Sequence, residues 1–169
     1  MKRKKLKSLS TLKKKLWTIF SQYVRMREAD ENGITSCISC GKRGHWRSFD
    51  AGHFVPKSTG LWCYFLEKSV HPQCQKCNLF LQGNQYEYAL SLKKKYGEGV
   101  IDEIMSQRKE GFKYSRSDYE EMIQYYSDKV KKIAPHTVNE QQTKNNPTRP
   151  PNHYSHVFSS LPDHFESPY

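Results

Sequence analysis

Two Cys-x-x-Cys pairs, Cys37/Cys40 and Cys74/Cys77, constrain this chain more than any other feature. A Cys-x-x-Cys turn presents two thiolates on one side, and two such turns complete a tetrahedral site. Soft sulfur donors select zinc over magnesium or calcium. The reading is therefore a structural Zn²⁺ held by Cys37, Cys40, Cys74 and Cys77. Gly41, directly after Cys40, suits the tight knuckle. Four buried thiols or a redox pair are the alternatives. The fifth cysteine, Cys63, lies in Leu61-Trp62-Cys63-Tyr64-Phe65 and reads as a small core residue. An odd number of cysteines speaks against a disulfide framework.

Thirty-three residues separate the two pairs. That is longer than the roughly 15–20 residues of a simple zinc ribbon. A unit is thus inserted between the knuckles, and its residues are the place to look for chemistry. Two short strands are expected there, one within 47–55 and one at 68–72, followed by a short helix at the second knuckle.

The flanks read as helices. Leu9, Leu12, Leu16, Ile19, Phe20, Tyr23 and Val24 recur at steps of three and four, predicting an amphipathic helix from Ser8 to about Arg27. Tyr86 to Tyr96 predicts a second helix closed by Gly97, and Val100 to Met105 a third. Ser117 and Glu120 fit a capping box for a fourth, which Pro135 should stop. The organisation is a basic arm and helix (1–33), a zinc-bound core (34–84), a helical region (85–133) and a tail (134–169). The tail is rich in Pro, Asn, Ser and Gln, a composition expected of a disordered or partner-binding segment. The expected fold class is α+β, mainly helical, with one small zinc-stapled ββα unit.

Charge narrows the partner. The formal net charge is +11. The segment from Ala134 onward has two basic and three acidic side chains, so the surplus of +12 sits in residues 1–133. Such a field attracts nucleic acid. No apolar run approaches the roughly 20 residues needed to span a bilayer, and the basic Met1–Lys5 stretch is not followed by an apolar leader core. The expectation is an intracellular protein with DNA as partner and no membrane. Arg47, Lys57, Lys68 and Lys76, in or near the insert, are the candidate DNA-phosphate contacts.

Inside the insert stand Asp50-Ala51-Gly52-His53, His71, and Asn78 directly after Cys77. A histidine can take a proton from water near neutral pH. Asp50 and the Asn78 side-chain oxygen suit Mg²⁺ or Mn²⁺, which accept hard oxygen donors. Each has a plainer alternative: His53 packs beside Phe54, Asn78 caps a helix, and Asp50 only orients His53. On a regular strand Asp50 faces away from His53, so a shared site calls for a bulge at Gly52. His71, three residues before Cys74, is a candidate phosphate contact or third metal ligand, with packing as the alternative.

This constellation resembles the HNH (ββα-metal) nuclease motif in its zinc-containing branch. It is similar, more closely, to the phage lambda NinG (Rap) recombination endonuclease family. The residues that carry the likeness are Cys-Ile-Ser-Cys-Gly at 37–41, Asp-Ala-Gly-His at 50–53, His71-x-Gln73-Cys74-x-x-Cys77-Asn78 and Gly83-Asn84. Tyr96-Gly97, Val100-x-Asp102-Glu103-Ile104 and Arg25-x-Arg27 extend it over about 10–133. Two departures stand out. Gly52 occupies the place where the motif usually has a carboxylate, and Ser69 the place of an Asn. The resemblance implies an endonuclease for branched DNA, Holliday junctions especially, with His53 as base and Asp50, Asn78 and His71 in the site. It also implies the cytoplasm of a bacterial or phage-infected host cell. A homodimer would match two cuts across a junction. The rivals are a non-catalytic zinc-containing DNA-binding accessory protein and an HNH nickase of ordinary duplex.

Overall fold

The computed structural model describes residues 6–137. Its elements are α1 (Leu9–Met26), β1 (Ile34–Ser36), β2 (Arg43–His45), β3 (Asp50–His53), β4 (Val70–Gln73), α2 (Gln85–Tyr96), α3 (Val100–Ser106) and α4 (Arg116–Thr137), with 3-10 and π turns between them. Two separate two-stranded antiparallel sheets, β1–β2 and β3–β4, make this a helix-rich α+β arrangement. Among the described residues no helix is long and apolar enough to cross a membrane.

Helix α1 starts where the Ser8 hydroxyl accepts the Thr11 N–H at 3.2 Å. Its stripe of Leu12, Leu16, Phe20, Tyr23 and Val24 is buried against Tyr119, Ile123 and Tyr126 of α4, with Phe65 and Val70 beneath. Thus the first and last described helices share one core. A carboxylate ties the same elements: Glu67 accepts from Tyr23 (3.0 Å), Tyr126 (3.1 Å) and Arg27 (3.3 Å), and pairs with Lys129 at 3.3 Å. A second cluster joins Tyr88 and Leu92 of α2 to Val100 and Ile104 of α3, with Val55, Trp62 and Cys63. Cys63 is fully buried there, as a small core residue should be.

The β3–β4 pair lies between these clusters. Its register is Asp50↔Gln73, Ala51↔Pro72, Gly52↔His71 and His53↔Val70. Directly opposed residues share a face, and neighbours along a strand alternate. Ala51, His53, Val70 and Pro72 therefore face one way; Asp50, Gly52, His71 and Gln73 face the other. The pairing is continuous, so the bulge expected at Gly52 is absent. Glycine has a different reason to be there: a Cβ would overlap the Gln73 side chain, standing 2.9 Å from its Cβ. Gln73 is fully buried and fixed by donating to Ser39 Oγ at 2.8 Å and to the Gly83 carbonyl.

Several boundaries differ from the sequence reading. The first strand of the insert is only Asp50–His53, because Trp46–Ser48 closes a 3-10 turn capped by His45 Nδ1. The element at the second knuckle is one π turn, Lys76–Phe80, closed by the Leu81 N–H on the Lys76 carbonyl at 2.9 Å. The α4 cap is Ser115 with Asp118, each side chain accepting the other's backbone N–H (3.2 and 2.7 Å), two residues upstream of the pair expected. Helix α4 continues through Pro135 to Thr137. Proline removes only its own N–H, and the carbonyl left over is that of Lys131, an exposed residue that water can reach. The remainder of the expected tail, and the arm at 1–5, lie outside the described residues.

Replacing Gly52 by Ala should cost about 1–3 kcal/mol, the scale of overpacking a filled site. Urea unfolding of Gly52→Ala, Gln73→Ala and the double variant measures it. A coupling of about 1 kcal/mol or more is expected between the two positions; simply additive costs would contradict the close approach.

Candidate functional site

The two knuckles are placed by the short strands. The first is the turn of the β1–β2 hairpin. Its backbone is held by Gly41 N–H to the Cys37 carbonyl and by Cys37 N–H to the Lys42 carbonyl, both at 2.9 Å. Gly41 takes φ +71°, which a side chain would resist. The second knuckle follows β4 directly: Asn78 N–H meets the Cys74 carbonyl at 2.9 Å, and Gly83 N–H the Cys77 carbonyl at 2.8 Å. Ile38 N–H bonds the Pro72 carbonyl at 2.9 Å and joins the knuckles.

As a result the Sγ atoms of Cys37, Cys40, Cys74 and Cys77 all lie within 4.8 Å of one another. Cys40 and Cys74 are 3.7 Å apart. Tetrahedral zinc with Zn–S of about 2.3 Å requires S···S near 3.8 Å, while a disulfide requires about 2.05 Å. All four are free thiols, so donor set and spacing fit one zinc ion. Burial raises the Cys37 and Cys77 thiols above their ordinary values, whereas Cys40 is lowered, against its own burial, by the Lys42 backbone and neighbouring thiols; four thiolates this close together would call for a cation. No other group of three or more His, Cys, Asp or Glu side chains among the described residues has this geometry.

The other candidate residues do not form one cluster. Asp50 and Asn78 are together: Asn78 Nδ2 donates to Asp50 Oδ2 at 3.1 Å. His53 is on the opposite face of β3. Its ring stacks on Trp17 (centroids 5.1 Å, 25° between planes) and meets Tyr64 edge-on at 5.5 Å. Its Nε2 is 3.0 Å from the Tyr64 carbonyl. A carbonyl only accepts, so Nε2 carries the hydrogen and Nδ1 keeps its lone pair. Burial, reinforced by the Lys57 charge, lowers the imidazole to about 4, although the Tyr64 carbonyl pulls the other way. His53 is therefore neutral at pH 7.

The basic candidates differ in availability. Arg47 is exposed above the Trp46 ring at 4.7 Å, and Lys76 is exposed on the π turn. Lys57 is exposed with its ammonium 5.3 Å from the Trp17 ring centre. Lys68 is half-buried and paired with Glu103, which leaves it the least free of the four.

A family model described as Bacteriophage Lambda NinG protein matches residues 1–135 of this chain. The chain belongs to the NinG family. Among curated relatives, protein ninG of Salmonella phage P22 is 29% identical over 120 residues, 66% of this chain and 56% of that protein. Protein ninG of Escherichia phage lambda is 34% identical over 86 residues, 50% of this chain and 39% of that protein. The chain thus spans about half the length, or less, of the ninG relatives it matches. No solved structure matches it.

Within this NinG chain His71 is fully buried, opposite Gly52. The ring bridges two tyrosines of α2, with Nε2 2.9 Å from Tyr96 Oη and Nδ1 3.3 Å from Tyr88 Oη. Tyr88 donates its own hydrogen to the Gly52 carbonyl at 3.0 Å. Hence Nδ1–H donates to Tyr88 Oη, and Nε2 accepts from Tyr96. Every member is satisfied only with a neutral imidazole. Glu28 stands 3.6 Å from Nε2, but Lys95 (2.7 Å) and Arg27 (3.4 Å) already neutralise it. Burial first, and the Arg27 and Lys95 charges second, lower His71 to about 2. In this setting His71 ties α2 to β4, and Tyr88 ties it to β3, the strand that carries His53; the buried His71 ring has no surface for a phosphate. The sequence reading missed Trp17, Tyr64, Tyr88 and Tyr96. One signal was present: Trp17 follows Lys13 by four residues on the flank of the α1 stripe.

Both histidines have folded values below the ordinary 6.5. The unfolded chain thus takes up protons that the folded chain refuses, and stability present above pH 6.5 is lost as pH falls. Each contributes a loss of about 1.2 kcal/mol between pH 7 and pH 5.5. Urea midpoints at the two pH values should show the combined loss, and His53→Gln should remove about half of it. An acid loss identical in His53→Gln would contradict a neutral, packed His53.

Proposed function

We propose that this chain is a metal-dependent endodeoxyribonuclease of the zinc-containing HNH type, acting on branched DNA such as four-way junctions. The observation that supports this best is the setting of His53: a neutral imidazole, oriented through Nε2 by a backbone carbonyl, with Nδ1 left as a proton acceptor. Phosphodiester hydrolysis needs water to lose a proton as it attacks, and a fixed, unprotonated imidazole is suited to that. A value near 4 makes a weak base. A phosphodiester beside the ring would raise it towards the working range, because an anion favours the imidazolium.

Asp50 and Asn78 are the oxygen donors suited to a catalytic Mg²⁺ or Mn²⁺. Asn78 already uses its amide nitrogen on Asp50, so its Oδ1 is the atom offered to an ion. Such an ion supplies charge stabilisation on the phosphate. Preference for branched DNA rests on the family resemblance, and two symmetric cuts would call for a homodimer.

A second reading is favoured by one observation. Asp50 and His53 lie on opposite faces of a regular strand, as they can in a protein that only binds. On that reading the chain is a zinc-containing, DNA-binding recombination accessory.

Incubation with labelled four-way junction, flap, duplex and single-stranded DNA in Mg²⁺ or Mn²⁺ separates the readings. The nuclease reading expects junction cleavage that falls by about 10²–10⁴-fold in His53→Ala. Cleavage indifferent to that substitution would remove His53 as base. Tight junction binding without cleavage in either metal would favour the accessory.

A further inference from the structure

Two aromatic rings meet at His53. Trp17 and Tyr64 touch each other edge-to-face at 5.3 Å, and each touches the imidazole. Each also has a lysine on it. The Lys13 ammonium is 4.2 Å from the Tyr64 ring centre, and the Lys57 ammonium is 5.3 Å from that of Trp17. Both distances fall within the roughly 6 Å over which a ring attracts a cation.

Five other lysines meet a carboxylate: Lys68, Lys93, Lys95, Lys129 and Lys131. Among the described residues Lys13 and Lys57, like Lys14, Lys15 and Lys76, meet none; what sets the two apart is that their rings touch each other and His53. Two like charges are thus held on neighbouring rings, beside a half-buried imidazole, with no counter-charge from the described residues. An arriving anion would supply the counter-charge that the described residues do not. The ring beneath each ammonium limits its freedom, so less ordering remains to be done on binding. Because the ammonium groups cap the rings, this surface offers charge to a ligand more readily than a face for base stacking. A phosphodiester fits that chemistry.

We propose that Lys13 of α1 and Lys57 of the loop after β3 form a two-point clamp for the DNA phosphate backbone, mounted on Tyr64 and Trp17 across His53. The choice of DNA rests on the nuclease reading. The clamp itself makes α1 part of the site: the helix that closes the core also delivers one of the two cations.

The test is the salt dependence of DNA binding by the full chain, without added divalent ion, using labelled duplex and four-way junction. Each phosphate contact adds about 0.9 to the slope of log K against log salt. Lys13→Ala and Lys57→Ala should each flatten the slope by about that amount, and the double variant by about twice as much. Lys13→Arg and Lys57→Arg should keep it, as should Lys131→Ala, whose lysine is exposed and paired with Asp128. Unchanged slopes in both alanine variants, with wild-type cleavage intact, overturn the clamp and leave the nuclease standing. Flattened slopes in a chain that cleaves nothing in Mg²⁺ or Mn²⁺ support the clamp and remove the nuclease. Failure of the wild-type chain to bind either DNA overturns the clamp.

Discussion

Four sulfur atoms within 4.8 Å of one another are the constraint on which the insert depends. They come from two turns 33 residues apart in sequence. Bringing such distant turns together costs chain entropy, and short strands of three or four residues contribute little to offset it. A metal ion held by the four sulfurs would supply what those strands lack, since structural zinc binding is itself folding free energy. With the knuckles joined, β4 must run straight into the second one and β3 must pair alongside it. Asp50 then comes to lie against Asn78, and His53 at the far end of its strand, against α1.

Around that staple the helices act as two walls. On one side α1 and α4 pack on Val70, with the Glu67 carboxylate gathering two tyrosines and two cations at their junction. On the other, α2 reaches the strand pair through Tyr88, Tyr96 and the buried His71. A neutral buried histidine between two hydroxyls fixes orientation at little electrostatic cost, because every ring nitrogen has a partner. The proposed functional surface is thereby built from a strand that runs beside the cysteine cluster and a helix that the apolar core positions. His53 and Lys57 belong to the first, Trp17 and Lys13 to the second.

Much of this was legible in the sequence because it depends on local spacing. The cysteine pairs gave the four-sulfur cluster, the three-and-four step of leucines gave α1, and Gly97 gave the end of α2. The adjacency of Asn78 to Cys77 put it next to the knuckle before any coordinates did. The face alternation of Asp50 and His53 was also readable, and the regular register bears it out. What could not be read was set by long-range packing. Gly52 looked like room for a bulge, but the space is occupied by Gln73, whose side chain is held from 39 and 83. The buried place of His71 needed two tyrosines 17 and 25 residues away. Trp17 reads as one more apolar helix residue until β3 is set beside it.

The central claim is that one tetrathiolate zinc site organises the insert. Zinc-edge X-ray absorption on the purified full-length chain tests it most directly. The account predicts one zinc per chain with four sulfur neighbours at about 2.3 Å and no nitrogen or oxygen in the first shell. A shell containing histidine nitrogen or water, or a folded chain that carries no zinc, would contradict it.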